Sequence, residues 1–365
     1  MRPKPNLLAA ILAAILALAW ASAPTHAQET KHFPARANEV DTLTIHAAAD
    51  IAAMQPLIEG FQERHPNWAV SYVEYVTNDL VVAATKACEA GKILGDVLLS
   101  SAVDHLVKLA NDGCARALRS DAGRALPHWA NWRDEVFGFT FEPAVIAYNY
   151  DAVPPEDVPR TRVELAELLR SKEDVYRGRI GTYDPRRSGI GYLLTIWDAR
   201  QTSAYGRLIE SFGRARAVVH CCTSDLLDEL ERGRLLIGYN LLGSYAYARV
   251  KAGARLRIVL PRDYTVVLSR GAMIPALARR PALASAFIEF ILSPEGQRIS
   301  RERAFFFSID GASPEDVDGP SSIISAGLFR PITIGPSLLA VYDEARRTRF
   351  LAEWTRSVVT VPARD

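Results

Sequence analysis

The sequence predicts an exported α/β protein of two domains. Three observations carry this: an apolar leader, a chain long enough beyond it for two cores, and strand-like segments that alternate with helix-like ones.

Arg2 and Lys4 precede a run of Leu, Ala and Ile from Leu7 to Trp20. At about 14 residues it is shorter than the roughly 20 needed to span a bilayer. Thr25-His26-Ala27 then offers a cleavage site before Gln28, which completes the layout of a secretory signal peptide over 1–27. No cysteine lies near that site, so a lipid anchor is not expected. The mature chain of about 340 residues has length for two domains and is expected in the periplasm. Its composition is 49% hydrophobic and 23% charged with a net charge of +1, which excludes the strongly basic face of a nucleic-acid binder.

Residues 28–40 are polar and mixed and read as a flexible leader. Leu43 to Ala48 is a strand. Asp50 caps a helix with Met54, Leu57, Ile58 and Phe61 at helical spacing, and His65-Pro66-Asn67 stops it. Val70 to Val76 alternates as a strand does, and Asp79 opens the next helix. Gly95 to Leu99 is a buried strand ending at Ser100-Ser101, with a helix from Val103 to Ala110 behind it. This order argues for a mostly parallel sheet. Phe137 to Tyr148 reads as a long strand region with Pro143 at a bend or an edge. A helix over Arg162 to Arg170 and a strand over Ile180 to Tyr183 follow. The loop Asp184 to Gly189 leads into a helix through Leu193 and Trp197. Leu226 to Arg232 is helical, Leu235 to Tyr239 a strand, and Val259 to Leu268 a return crossing. Pro281 to Leu292 and the tail from Pro336 to Trp354 read as helices.

In an oxidising compartment Cys88 and Cys114 are close enough in sequence to bridge. Cys221 and Cys222 are adjacent; a vicinal bridge, reduced thiols or pairing elsewhere all remain open. No spacing supports a metal site. No catalytic frame is present either: Arg186 stands where a Gly-x-Ser-x-Gly elbow around Ser188 needs glycine. Neither an enzyme nor a cofactor is expected.

Taken in order, several segments resemble one family. They are Leu43 to Phe61, Gly95-Asp96-Val97 with Ser100-Ser101, Tyr183-Asp184-Pro185 with Ser188-Gly189, Gly233 to Asn240, and the run Phe287 to Gln297 (FIEFILSPEGQ). The chain is similar to the periplasmic solute-binding proteins of ABC transporters, in the ferric-iron, phosphonate and sugar-phosphate branch. Phe329 to Ile332, Gly335 to Leu339 and Arg347 to Trp354 resemble the subgroup of phosphoglycerate transport regulatory proteins. The resemblance implies a two-lobed type II periplasmic binding fold with a ligand cleft between the lobes. One lobe would hold 41–140 and 264–320, the other 141–263 and 321–360. It implies a monomer that closes on a small solute by hinge motion and docks on an ABC permease or a membrane sensor kinase.

The chemistry expected in such a cleft is anion capture at helix N-termini. The resemblance places Ser188, Gly189 and Ile190 where relatives hold phosphate, with Arg186 or Arg187 adding a bidentate grip. Ser100 and Ser101 end a strand, where ligands of open α/β sheets gather. Asn240, Gly243 and Ser244 follow a buried strand. Ala49 and Asp50 occupy the first strand–helix turn, where Asp50 would repel an anion and suit an ammonium or a sugar hydroxyl. A phosphorylated small molecule is therefore the expected ligand. Ferric iron is disfavoured, because Leu241-Leu242-Gly243-Ser244 stands where the iron-binding branch carries paired tyrosines.

Overall fold

The computed structural model describes residues 29–303, 317–319 and 327–359. The expected signal peptide over 1–27, and parts of the expected lobes at 304–316, 320–326 and 360, lie outside the described residues.

The strands run in chain order as β1 (Thr30–Phe33), β2 (Asp41–Ala48), β3 (Trp68–Glu74), β4 (Val97–Ser100), β5 (Ala115–Arg116), β6 (Asn131–Trp132), β7 (Val136–Gly138) and β8 (Glu142–Asn149). Then follow β9 (Ile180–Tyr183), β10 (Val218–His220), β11 (Ile237–Leu242), β12 (Leu256–Val259), β13 (Thr265–Leu268), β14 (Gly271–Pro275), β15 (Val317–Asp318) and β16 (Phe329–Pro331). Among the described residues they form two sheets. The first has the order β1-β3-β2-β4-β14-β7-β6, with β5 on β14. The second has the order β10-β9-β11-β8-β12-β15, with β13 and β16 attached through β8.

The chain passes from the first sheet to the second between Gly138 and Glu142, and back between Leu268 and Gly271. The alternation predicted a mostly parallel sheet; that crossing explains why the first sheet is mostly antiparallel and the second mixes four parallel pairings with three antiparallel ones. The strand–helix units do pair in parallel: β2 with β3 and β4, and β9 with β10 and β11. The strands that arrive from the other sheet run the opposite way. β8 is antiparallel to β11, β12 and β13, and β14 to β4 and β7. Pro143 consequently lies inside β8 opposite Val267, not at an edge. Thr265–Leu268 and Val317–Asp318, expected with the first lobe, pair in the second sheet. The leader is not loose: β1 adds an antiparallel edge to β3.

The helix Ile51–Arg64 buries Ile51, Met54, Leu57, Ile58 and Phe61, the i, i+3, i+4 face that the sequence shows. Phe61 meets Phe287 edge-on at 5.2 Å. The run Phe287 to Gln297 resolves into a helix end and a helix start, with Ser293 Oγ accepting from Gly296 N at 3.2 Å. Gln297 Nε2 then donates to the carbonyl of Phe139 at 3.0 Å, pinning the outgoing crossing segment. In the tail, a 3₁₀ segment Pro336–Tyr342 packs on the helix Val103–Asn111 of the first sheet's side. The helix Glu344–Val358 packs on Tyr205–Arg214 of the second.

That last contact requires glycine at 213. A Cβ there would lie 1.8 Å from the carbonyl oxygen of Ser357, whereas a Cβ at Gly206 in the same helix meets nothing within 4 Å. Gly213→Ala is expected to lower unfolding free energy by about 1–3 kcal/mol through displacement of the tail helix. Gly206→Ala should raise it by about 0.5–1 kcal/mol. Urea denaturation of both variants checks the pair.

Candidate functional site

A cavity of about 300 Å³ opens between the loops of the two sheets. Ala48, Ala49 and Asp50 reach it from the end of β2, Glu74 to Thr77 and Asp79 from the end of β3, and Ser101 from the end of β4. Ile190, Leu242, Tyr245 and the turn Cys221 to Asp225 close it from the second sheet. Arg270 enters it from the returning crossing, and Glu29 lies at its rim. Side chains at the carboxyl ends of parallel strands meeting a second set of loops are the expected place for a ligand.

The two halves touch through direct hydrogen bonds. Gly189 N donates to Thr77 Oγ1 at 2.8 Å, and Asn78 Nδ2 donates to the carbonyl of Arg187 at 2.8 Å. Tyr245 OH donates to Asp50 Oδ1 at 3.0 Å and accepts from Asp50 N at 3.2 Å. Gly189 permits this approach, since a Cβ there would lie 2.4 Å from His105 Cε1.

Below the cavity the crossing segments are tied together. Arg270 Nε donates to Glu142 Oε1 at 2.7 Å, with both side chains almost wholly buried, and Ser244 Oγ donates to the other carboxylate oxygen. Burial works against the Arg270 charge, but Glu142 more than offsets it and holds the guanidinium protonated. The Arg270 guanidinium also lies 5.0 Å from the centre of the Tyr245 ring.

The other charged residues among the described lining are all acidic: Glu29, Asp50, Glu74, Asp79 and Asp225. Glu74 Oε2 accepts from Ile51 N at 2.7 Å and so caps the helix Ile51–Arg64. Its carboxyl is pushed above the usual range, first by burial and then by Asp50 and Glu29, against the pull of that backbone N–H. Asp79 and Asp225 stand in the first turns of the helices Thr77–Glu89 and Thr223–Glu231. Among the described residues, the one group of three or more His, Cys, Asp and Glu side chains close enough to share a metal is Cys221, Cys222 and Asp225. Its two sulfurs are bonded to each other.

Of the residues expected at the site, Ala49, Asp50, Ser101 and Ile190 line the cavity. The others do not, and most of their polar groups are engaged elsewhere. Ser188 Oγ caps its own helix by accepting from Gly191 N, and Gly189 N is held by Thr77. Arg186 grips Asp184 with two bonds of 2.8 and 2.7 Å, while Arg187 is exposed outside the cavity. Ser100 Oγ accepts from Ala102 N. Asn240 sits in the left-handed region at φ 60° as the extra residue of a bulge in β11. Its Nδ2 donates to Asp198 Oδ2, within a buried group that also holds Arg162, Tyr239 and Tyr264. Gly243 packs against Pro143, and Ser244 serves the Glu142 pair. Sequence reasoning missed Glu74, Thr77, Asp79, Arg270, Tyr245 and the Cys221 to Asp225 turn. The end of the strand Val70 to Val76 held the signal for the first three, by the rule that pointed to Ser101.

Removing Glu142 would leave Arg270 without its buried counter-charge. Glu142→Ala is expected to cost about 3–5 kcal/mol of stability in urea denaturation, the penalty for breaking a buried pair from one side.

A family model described as bacterial extracellular solute-binding protein matches residues 43–305. No curated protein matches the chain. Among solved structures, the substrate-binding protein of an ABC transporter from Agrobacterium tumefaciens is 35% identical. It superposes with a TM-score of 0.82 over 91% of this chain and 98% of its own. AfuA from Actinobacillus pleuropneumoniae, with fructose-6-phosphate bound, is 16% identical, with a TM-score of 0.68 over 88% of this chain and 99% of its own. A periplasmic thiamin binding protein is 17% identical, with a TM-score of 0.67 over 89% and 99%. The last two show a shared fold.

Proposed function

The chain belongs to the bacterial extracellular solute-binding proteins, the periplasmic substrate-binding components of ABC transporters, and from that premise we propose that it captures a small solute bearing a cationic group and delivers it to an ABC permease. The observation that carries the charge is the cavity lining. Among the described residues five acidic residues line it, and the one cationic residue of that lining, Arg270, already holds Glu142.

Helix N-termini also open on this cavity, and they favour anions. Each is equivalent to about half a positive charge. Three of them have a carboxylate on them: Glu74 on Ile51–Arg64, Asp79 on Thr77–Glu89 and Asp225 on Thr223–Glu231, whereas Gly189–Gln201 and Gly243–Lys251, which reach the cavity through Ile190 and through Leu242 and Tyr245, have no acidic residue in their first turns. A full negative charge outweighs a half positive one, so the balance stays negative. Of the residues on which the anion reading rested, Ser101 and Ile190 line the cavity, whereas Arg186, Arg187 and Ser188, its cationic and hydroxyl grip, do not. A phosphoglycerate-sensing role draws no support from such a lining. Ferric iron fares no better: outside the bridged Cys221-Cys222-Asp225 group, the described carboxylates are not gathered at coordination distance. Burial also pushes the Tyr245 phenol well above its ordinary range, away from phenolate. Spaced carboxylates suit an organic cation with separated ammonium or ring-nitrogen charges, and Tyr75, Tyr245 and Ile190 suit its carbon frame. Binding of this kind is reversible and needs no cofactor or catalytic step. Among the described residues no helix is long and apolar enough to cross a membrane. Export through a cleaved signal peptide is part of the proposal.

A thermal-shift panel of thiamine, choline, putrescine, inorganic phosphate and fructose-6-phosphate tests the charge. A ligand that binds only the folded state raises its melting temperature by mass action. A shift is expected with at least one of the three cations and with neither phosphate; the reverse pattern sinks the reading. Asp50→Asn and Glu74→Gln should each weaken the bound cation about tenfold in calorimetric titration, and Arg186→Ala should leave it unchanged.

The raised Glu74 pKa gives the pH dependence a sign. Above that pKa the carboxylate is ionised and attracts the cation; as pH falls through it, a proton competes for the same oxygens. Cation affinity is therefore expected to fall on acidification from about pH 7 to about pH 5. Calorimetry in buffers of different protonation enthalpy should show proton release on binding near the lower end. Affinity that rises on acidification would contradict the assignment of Glu74.

A further inference from the structure

We propose that the Cys221–Cys222 disulfide is a ligand-contacting wall of the solute cavity, and that solute affinity depends on this bridge staying oxidised. The proposal rests on the cavity being the solute site, and it does not depend on the charge of the solute.

The two cysteines join β10 to the helix Thr223–Glu231, and Cys222 is the N-cap of that helix, with extended backbone at φ −133° and ψ 147°. Successive side chains of extended backbone point to opposite faces. The bridge between these adjacent residues overrides this and holds both sulfurs together. Both residues line the cavity, followed without a break by Thr223, Ser224 and Asp225. Asp225 Oδ2 lies 3.5 Å from Cys221 Sγ, and Thr223 Oγ1 is 2.5 Å from Tyr183 OH. The wall is thus a compact, polarizable sulfur surface set beside a carboxylate. Sulfur of this kind packs well against hydrocarbon and ring edges, so the carboxylates hold charge while the bridge carries the solute's carbon frame.

Reduction must alter that wall. Bonded sulfurs are about 2 Å apart, whereas unbonded ones stay at least about 3.5 Å apart. One sulfur has to move into the cavity or turn away from it, and both side chains regain rotamer freedom. Because Cys222 caps the helix, the turn that presents Thr223, Ser224 and Asp225 is free to shift as well. The chemistry is a thiol–disulfide exchange with a dithiol reductant. Its thiolate attacks one cysteine sulfur, a mixed disulfide forms, and the second thiol closes the reductant's own disulfide. Two electrons and two protons pass to the protein, which gains two S–H bonds. The other bridge, Cys88–Cys114, plays no part in this. It ties the helix Thr77–Glu89 to the segment before β5 and lines a separate apolar groove.

The test titrates thiamine, putrescine and fructose-6-phosphate into three forms of the full mature protein: oxidised, reduced with dithiothreitol, and Cys221→Ser/Cys222→Ser. The variant keeps Cys88–Cys114, and the reduced form guards against a variant that fails to fold. Whichever probe binds the oxidised protein is expected to bind the other two forms about tenfold more weakly or worse. Equal affinity in all three overturns the proposal. The identity of the binding probe separately decides the charge reading: fructose-6-phosphate alone would sink that reading and leave the wall standing. A second measurement needs no solute. Dibromobimane fluoresces once it bridges two thiols, and on the reduced pair, located by peptide mapping, its emission should be shielded from iodide. Full quenching would place the pair outside the cavity and overturn the proposal.

Discussion

The structure turns on the buried pair of Arg270 and Glu142. The two residues belong to two of the segments that cross between the sheets, so their bond ties the first passage, into β8, to the return, into β14. Neighbouring side chains reinforce it. Thr140 N donates to Ser269 Oγ, and Arg270 N donates back to Thr140 Oγ1. A buried ion pair is an expensive way to stabilise a junction. Here it lies beside an apolar cluster that runs across both sheets, with Leu98 and Met273 of the first and Val145 and Leu268 of the second, and it ties the two crossings to each other. Arg270 also lines the cavity and lies against the Tyr245 ring. The crossing and the proposed solute site therefore share a residue, so that a solute held as proposed would be felt at the crossing.

The alternation of strands and helices was legible because apolar periodicity records which face is buried. The helix over Ile51–Arg64 shows this plainly, and the run Phe287 to Gln297 combined that periodicity with a Ser cap. Sheet direction was not legible. β8 and β14 run against their neighbours only because the chain crosses between sheets, a long-range fact that local propensity does not carry. The leader was misread for a related reason, since β1 gains its order by pairing with β3, not from its own composition.

The site was half legible. The strand-end rule pointed to Ala49, Asp50 and Ser101 and helix-start chemistry to Ile190, and these four line the cavity. The same chemistry misled at Ser188 and Ser100, whose hydroxyls satisfy their own backbones. At Arg186 it missed Asp184, two residues away, which takes the guanidinium's donors. A cap and a ligand contact look identical in sequence, because both place a small polar group at a helix N-terminus. What separates them is where the N–H already points, and only the fold shows that. The acidic character of the cavity is a case in point. Glu74 looks like an ordinary strand end and Asp79 and Asp225 like ordinary first-turn residues, and only their convergence at three helix N-termini suggests the proposed cation site.

That convergence is the central claim, and native mass spectrometry of the protein gently purified from a periplasmic extract tests it most directly. The acidic cavity predicts a bound small molecule with at least one basic nitrogen, lost on acidification. A bound phosphorylated compound without a basic nitrogen would contradict the claim and return the site to the anion chemistry of helix N-termini.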